Sequence, residues 1–334
     1  MKKTYEAAED RYQKMGYEKC GKSGLKMPRV SLGLWHNFGE SAKIDNVRAM
    51  CRAAFDNGIT CFDIANNYGP PGGAAEENFG KVLKSDFASY RDQMIVTTKA
   101  GYGMWPGPYG DGGSRKYLLA SLDQSLARTG LEYFDIFYHH RMDPDTPLEE
   151  TMGALDQAVK SGKALYAGIS NYDLPTTLKA AKILSGLHCP FIVNQIQYSI
   201  FNRSIEKSGL KKRAAKEGIG LVCFSPLAQG LLTDRYLNGI PKDSRIKTDG
   251  RFLTEKNLTA ERMAQIKALN DIAKARGQTL AQMALAWVLR DGDIASVIIG
   301  ASKPEQILDN VKAAQSAAFT KEELDAIDKI APAL

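Results

Sequence analysis

One pattern recurs along the chain and restricts its fold more than any other: an amphipathic stretch, a glycine, then a short β-rich run. Val47, Met50, Cys51, Ala54 and Phe55 keep the i, i+3, i+4, i+7, i+8 spacing of one helix face, Gly58 stands just past its end, and "ITCFDIA" follows. Leu118, Leu122 and Leu126 repeat the motif before Gly130 and "YFDIFYHH", with Ser114 as N-cap. Leu148, Met152, Leu155 and Val159 repeat it before Gly162 and "ALYAGIS", and "LKKRAAKEG" leads into "IGLVCFSPL". With "RVSLGLW", "QMIVTTKAG", "FIVNQIQY" and "ASVIIGAS" the count is eight strands separated by helices. Over 334 residues without a composition break, that predicts an α/β fold, a (β/α)8 TIM barrel formed as one domain over 1–334. A doubly wound sheet is the competing architecture, but no G-x-G-x-x-G follows a strand; Gly101, Gly103 and Gly107 are wrongly spaced.

Two connections exceed what a barrel needs. "GYGMWPGPYGDGGS" follows the third strand, and a stretch from about Pro226 to Leu258 follows the seventh. Long loops at the C-terminal ends of barrel strands shape sites. Ahead of the first strand, "YEKCGKSGLKMPRV" reads as a β-hairpin able to plug the opposite face.

Composition narrows the function. A net charge of +6 comes from Lys and Arg interspersed with acids, without a basic run carrying aromatics, so nucleic acid is not expected as a partner. No window reaches the length of an apolar membrane span and the N-terminus lacks a signal-like apolar core, so a cytoplasmic protein away from membranes is expected. The five cysteines are scattered without metal-type spacing, which predicts buried free thiols and no metal site.

In a barrel of this kind, polar residues where a strand gives way to its loop are the candidates for chemistry. They are Trp35, Asp63 and then Tyr68, Lys99, the pair His139 and His140, Ser170 with Asn171, Gln195 and Gln197, Ser225, and Ser302 with Lys303. A strand aims neighbours at opposite faces, so at most one of the two histidines can share the site. An Asp, a Tyr, a Lys and a His at one mouth suit a tyrosine general acid: a phenol titrates near pH ~10, and an adjacent ammonium favours its ionised form. A carboxylate would keep that ammonium charged, and a histidine would orient a carbonyl oxygen. Singly, Asp63 also fits a helix N-cap and Tyr68 a loop aromatic over the rim. Lys99 also fits a Schiff-base nucleophile of a lyase.

Together the segments "SLGLWHNFG", "FDIANNYGPPGGAAEENFG", "TTKAG", "SRKYLLASLDQSLARTGLEYFDIFYHHRMD", "GKALYAGISNY", "NQIQYS", "SPLAQGLLTDRY" and "IIGASKPEQILDN" resemble the aldo-keto reductases over essentially the whole chain. Within that family they resemble the branch of bacterial L-glyceraldehyde 3-phosphate reductases and voltage-gated potassium channel β subunits. The resemblance implies a catalytic tetrad of Asp63, Tyr68, Lys99 and His140. The family's D-[LIV]-x-x-x-H register counts from Asp135 to His140, which turns Ile136, Tyr138 and His140 inward and leaves Phe137 and His139 to the helix layer.

The resemblance further implies NADPH as cofactor, with Trp35 and Asp63 near the nicotinamide and Ser170, Asn171 and Gln195 at its carboxamide. Phe224 takes the place of the stacking aromatic. Ser225, Leu227 and Gly230 match the pyrophosphate loop, with Arg235 and Arg245 as phosphate partners. Ser302, Lys303, Gln306 and Asn310 match the adenosine end, where a helix starting near Pro304 would offer backbone donors to the 2′-phosphate. Many family members carry Arg at the position of Gln306. A small carbonyl compound is the implied substrate, an aldehyde such as L-glyceraldehyde 3-phosphate or methylglyoxal, bounded by Trp35, Tyr68, Trp105 and His140. Arg115 or Arg141 is expected to meet a phosphate. A redox-sensing regulatory subunit is the competing implication, although its relatives commonly carry Asn at the position of His140. Whether the chain forms a homo-oligomer is left open.

Overall fold

A computed structural model describes residues 5–333 except 238, 243, 251 and 252; the side chains of residues 245 and 248 also lie outside the description. Strands β1 (Tyr17–Lys19) and β2 (Lys26–Pro28) pair antiparallel as the predicted hairpin. The next eight strands close into a parallel barrel: β3 (Val30–Gly33), β4 (Cys61–Asp63), β5 (Ile95–Ala100), β6 (Phe134–His139), β7 (Ala164–Ser170), β8 (Phe191–Gln197), β9 (Gly220–Phe224) and β10 (Ser296–Ile299), with β10 returning to β3. Between and after them lie α1 (Ile44–Phe55), α2 (Ala74–Val82), α3 (Arg115–Thr129), α4 (Leu148–Lys160), α5 (Leu174–Gly186), α6 (Ser204–Lys207), α7 (Leu210–Glu217), α8 (Arg245–Thr248), α9 (Ala260–Ala275), α10 (Leu280–Val288), α11 (Pro304–Val311) and α12 (Lys321–Ile330).

The helices begin and end where local chemistry directs. Ser114 Oγ accepts from the Tyr117 amide at 3.3 Å and Asp173 Oδ1 from the Thr176 amide at 2.8 Å, satisfying donors that a first helical turn leaves open. Gly58 (φ 80°) and Gly130 (φ 71°) turn the chain through the left-handed region on the way to β4 and β6. The apolar stripe of α1, Val47, Met50, Cys51, Ala54 and Phe55, is buried against the barrel wall.

Two hydrophobic layers result. The larger lies between strands and helices and includes Phe137. The smaller fills the barrel with Cys61, Ile95, Ile136, Tyr138, Val193, Val222 and Ile298, and the hairpin contributes Cys20 and Met27, with Leu25 packed against them. The hairpin is therefore a plug, and it leaves the C-terminal mouth as the open end. All five cysteines are buried and free. No helix among the described residues is long and apolar enough to cross a membrane.

Gly168 has a steric reason to lack a side chain. A Cβ there would stand 2.5 and 2.6 Å from two ring carbons of Tyr138, a rigid aromatic with no room to retreat inside the barrel. Gly168→Ala should lower unfolding free energy by about 1–3 kcal/mol, the cost of over-packing a tight core. Urea unfolding followed by circular dichroism checks it.

Candidate active site

Strand alternation aims Cys61 and Asp63, then Ile95, Thr97 and Lys99, into the barrel, and the polar member of each set comes last, at the mouth. Parallel register places Asp63 beside Thr97, and Lys99 beside Tyr138. The Lys99 ammonium is fully buried and donates to Asp63 Oδ2 at 2.6 Å, to the Ile64 carbonyl at 2.8 Å and to the Tyr68 hydroxyl at 3.3 Å. Asp63 is held in turn: its Oδ1 accepts from Thr97 Oγ1 and from Gln195 Nε2, both at 2.8 Å. Tyr68 reaches the ammonium from the loop after β4, whose path is set by the Asn66 amide bonding to the Lys99 carbonyl at 3.0 Å.

The doublet divides as the resemblance implied. His140, the residue after β6, meets Tyr68 edge to face with ring centroids 5.9 Å apart. Its Nδ1 is buried without a hydrogen-bond partner among the described residues, so Nε2 is the nitrogen that can serve the mouth. His139 turns into the helix layer, where Nδ1 stands 2.6 Å from the Tyr172 hydroxyl.

Burial and charge set different protonation states within a few ångströms. Burial pushes the Tyr68 phenol upward more strongly than the Lys99 ammonium pulls it down, so the net direction is up and the hydroxyl keeps its proton. The expectation that Lys99 lowers this phenol holds for the pairwise effect but not for the sum. Burial disfavours charge on Lys99, yet Asp63 and Tyr68 outweigh it and raise the ammonium. Burial, then the Lys99 charge, holds His140 well below the ordinary histidine range, so it is neutral.

Around the mouth the remaining predicted residues take varied positions. Trp35 lies 6.2 Å from the Tyr68 ring and 4.0 Å from His36. Trp105, expected to wall the substrate, packs at 5.1 Å on Tyr117 of α3. The wall beside His140 is Tyr102, edge to face at 4.7 Å, a residue missed because nothing in a Gly/Pro-rich loop says which aromatic turns inward. Arg115 likewise turns away, donating to the Gly153 carbonyl and Gln157 on α4. Thr97 was missed too, although it shares the inward parity of Lys99.

Ser170 and Gln195 are buried at the ends of β7 and β8, and Asn171, at φ 59°, donates to Ser170 Oγ and to the His140 carbonyl. After Phe224, at the end of β9, Ser225, Ala228, Gln229 and Gly230 all have positive φ, with Leu227 among them. Such turns build anion-binding concavities. Arg235 is partly buried in the same connection; the side chain of Arg245 lies outside the described residues. A cleft of about 620 Å³ runs from Gly69 and Pro70, next to Tyr68, past His36 and Lys43 to Asn46, which bonds the Ser302 carbonyl at 2.9 Å. Lys303 is exposed there and Asn310 buried. Gln306 Oε1 accepts from the Ser302 amide (2.7 Å) and hydroxyl (3.1 Å), one residue ahead of the N-cap Lys303, which makes no side-chain capping bond, so among the described residues no side chain caps the first turn of α11.

Residues 29–332 match the Aldo/keto reductase family. The chain belongs to that family. It is 56% identical over 323 residues to the L-glyceraldehyde 3-phosphate reductase of Escherichia coli strain K12, covering 96% of this chain and 93% of that one. It is 35% identical over 302 residues, 90% and 91% of the two chains, to a probable voltage-gated potassium channel subunit beta of Oryza sativa subsp. japonica. In structure it is similar to the holo form of aldo-keto reductase AKR11C1 from Bacillus halodurans, with a TM-score of 0.78 and 25% identity over 96% and 97% of the chains. Members are oxidoreductases that use nicotinamide cofactors and act on small carbonyl compounds.

Burial is the main cause that depresses His139, to about 4. An unfolded histidine titrates near ~6.5, so between those values the unfolded chain takes a proton that the fold refuses, and stability falls as pH falls. Going from about pH 7.5 to about pH 4.5, the wild type should lose roughly 2–3 kcal/mol more than His139→Gln, where no imidazole titrates. Equal losses in urea unfolding at the two pH values would contradict this assignment.

Proposed function

We propose that the protein is an NADPH-dependent reductase of small aldehydes, with L-glyceraldehyde 3-phosphate, methylglyoxal or a similar compound as substrate. The observation that carries this reading is the Lys99 ammonium, buried against Asp63 and 3.3 Å from the Tyr68 hydroxyl beside a neutral His140. The substrate class is supported by 56% identity to a reductase of L-glyceraldehyde 3-phosphate, and a cytoplasmic site of action by its five free, buried cysteines.

The residues present fit a dinucleotide. The positive φ at Ser225, Ala228, Gln229 and Gly230 suits a diphosphate, with Leu227 and Arg235 in the same connection. Ser170, Asn171 and Gln195 offer amide and hydroxyl groups at the mouth, Trp35 and Phe224 offer rings, and Ser302, Lys303, Gln306 and Asn310 form the far end. Lys303 and the loop arginines favour a 2′-phosphate. When bound, the reduced nicotinamide supplies the hydride.

The chain's own residues then handle the proton. Tyr68 gives its phenolic proton to the carbonyl oxygen as negative charge develops there. Lys99 stabilises the phenolate left behind, and Asp63 keeps Lys99 charged. Neutral His140 donates an N–H to the same oxygen and orients it. A buried, charged lysine is a poor amine nucleophile, which argues against a Schiff-base lyase. The regulatory-subunit alternative has the weaker likeness, 35% identity, and a complete tetrad speaks for turnover.

Tyr68→Phe should lower kcat for NADPH-dependent aldehyde reduction by ~10²–10⁴ while NADPH still quenches protein fluorescence on binding. In the wild type, kcat/KM should show no inflection near pH ~6.5, because His140 stays neutral, and should fall only on the alkaline side, above pH ~10, where the phenol ionises. A stopped-assay pH series measures both limbs; near-normal turnover by Tyr68→Phe would remove the mechanism.

A further inference from the structure

We propose that Arg141 is the anion receptor of the substrate site: it takes the phosphate of a phosphorylated aldehyde whose carbonyl lies at Tyr68 and His140, and Asp111 is the counter-ion displaced when it does so. The inference rests on the aldehyde-reductase reading above.

Arg141 follows His140 directly, and the loop after β5 holds it in place. Its Nε donates to the Gly101 carbonyl at 2.7 Å, and Nη2 reaches both oxygens of Asp111 at 3.0 and 3.1 Å. The guanidinium carbon stands 4.8 Å from the centre of the Tyr102 ring, whose edge-to-face partner at 4.7 Å is His140. Imidazole, phenol ring and guanidinium thus form a continuous wall leading outward from the tetrad. Nη1 makes no hydrogen bond among the described residues, which leaves a second donor for a ligand. Arg115 is committed to α4, and Lys99 is sealed beneath Tyr68.

The reach fits a three-carbon phosphate. Carbonyl carbon to phosphorus spans roughly 5 Å in an extended chain by ordinary bond lengths. A hydrogen bond of about 2.8 Å at each end, charge-assisted at the guanidinium, extends the span from the His140 side of the mouth towards the far face of Tyr102. The resident partner is easy to displace: Arg141 and Asp111 side chains are 39% and 54% exposed, and exposed pairs of this kind contribute little. A phosphate matches the planar fork of arginine and carries about −1.5 to −2 charge at neutral pH, more than one carboxylate does. Asp111 belongs to a loop with glycines at 101, 103, 107, 110, 112 and 113, so its release asks little of the backbone.

The test compares kcat/KM for L-glyceraldehyde 3-phosphate with kcat/KM for L-glyceraldehyde, and uses inorganic phosphate as a competitive inhibitor. In the wild type the phosphorylated substrate is preferred. Arg141→Gln should reduce that preference about 10- to 100-fold, the worth of a hydrogen-bonded charge, with Arg141→Lys in between. Asp111→Asn should raise the preference and tighten inhibition by inorganic phosphate a few-fold, since the competing carboxylate charge is gone. An unchanged preference in Arg141→Gln overturns the assignment. If that variant does not fold, unchanged preference and unchanged phosphate inhibition in Asp111→Asn overturn it. A wild type indifferent to the phosphate removes the phosphorylated-substrate reading, and this inference with it.

Discussion

A fully buried lysine paired with a nearly buried aspartate is the constraint around which this barrel mouth is arranged. Taking two charges out of water costs several kcal/mol per ion, and their attraction repays it only when every remaining donor and acceptor is satisfied. Here the satisfaction comes from two strands and a carbonyl: Thr97 beside Lys99 on β5, Gln195 across the barrel on β8, and Ile64 just past β4. Those partners are up to 132 residues apart in sequence, so the pair exists only when the barrel is closed. Removing either charge would strand the other, at a cost of about 3–5 kcal/mol. The plug formed by Cys20, Leu25 and Met27 closes the lower end of the barrel, which leaves the mouth as its open end.

From that pair the site divides labour by environment. The same burial keeps Lys99 charged, because Asp63 is in contact, and keeps Tyr68 and His140 neutral, because nothing of opposite charge favours their ionised forms enough. In the proposed mechanism a proton donor, a charge that awaits the resulting phenolate, and a neutral hydrogen-bond donor thus share one small space. His139 obeys the same physics without a role in this chemistry: strand alternation turns it toward Tyr172, and burial denies it a proton.

Much of this was legible in the sequence. Helical periodicity ending in Gly58 and Gly130, and strands ending in Asp63, Lys99 and Ser170, depend on local rules, and the barrel reproduces them. The inward set on β6 needed the family's register from Asp135 to His140, since alternation alone has no absolute sign. What stayed hidden depends on competition among loop side chains. Tyr102 rather than Trp105 faces His140, because Trp105 finds Tyr117, and Gln306 turns back to Ser302 ahead of α11. Gln195, expected to address a cofactor, also steadies Asp63, a link between distant strands that no periodicity encodes.

The central claim is that Tyr68 and Lys99 act as one proton-handling unit. A double-mutant cycle on kcat/KM, combining Lys99→Met with Tyr68→Phe, addresses it directly. The account predicts strong non-additivity, the double variant being little worse than either single one. Losses that simply multiply would show two independent contributions and contradict it.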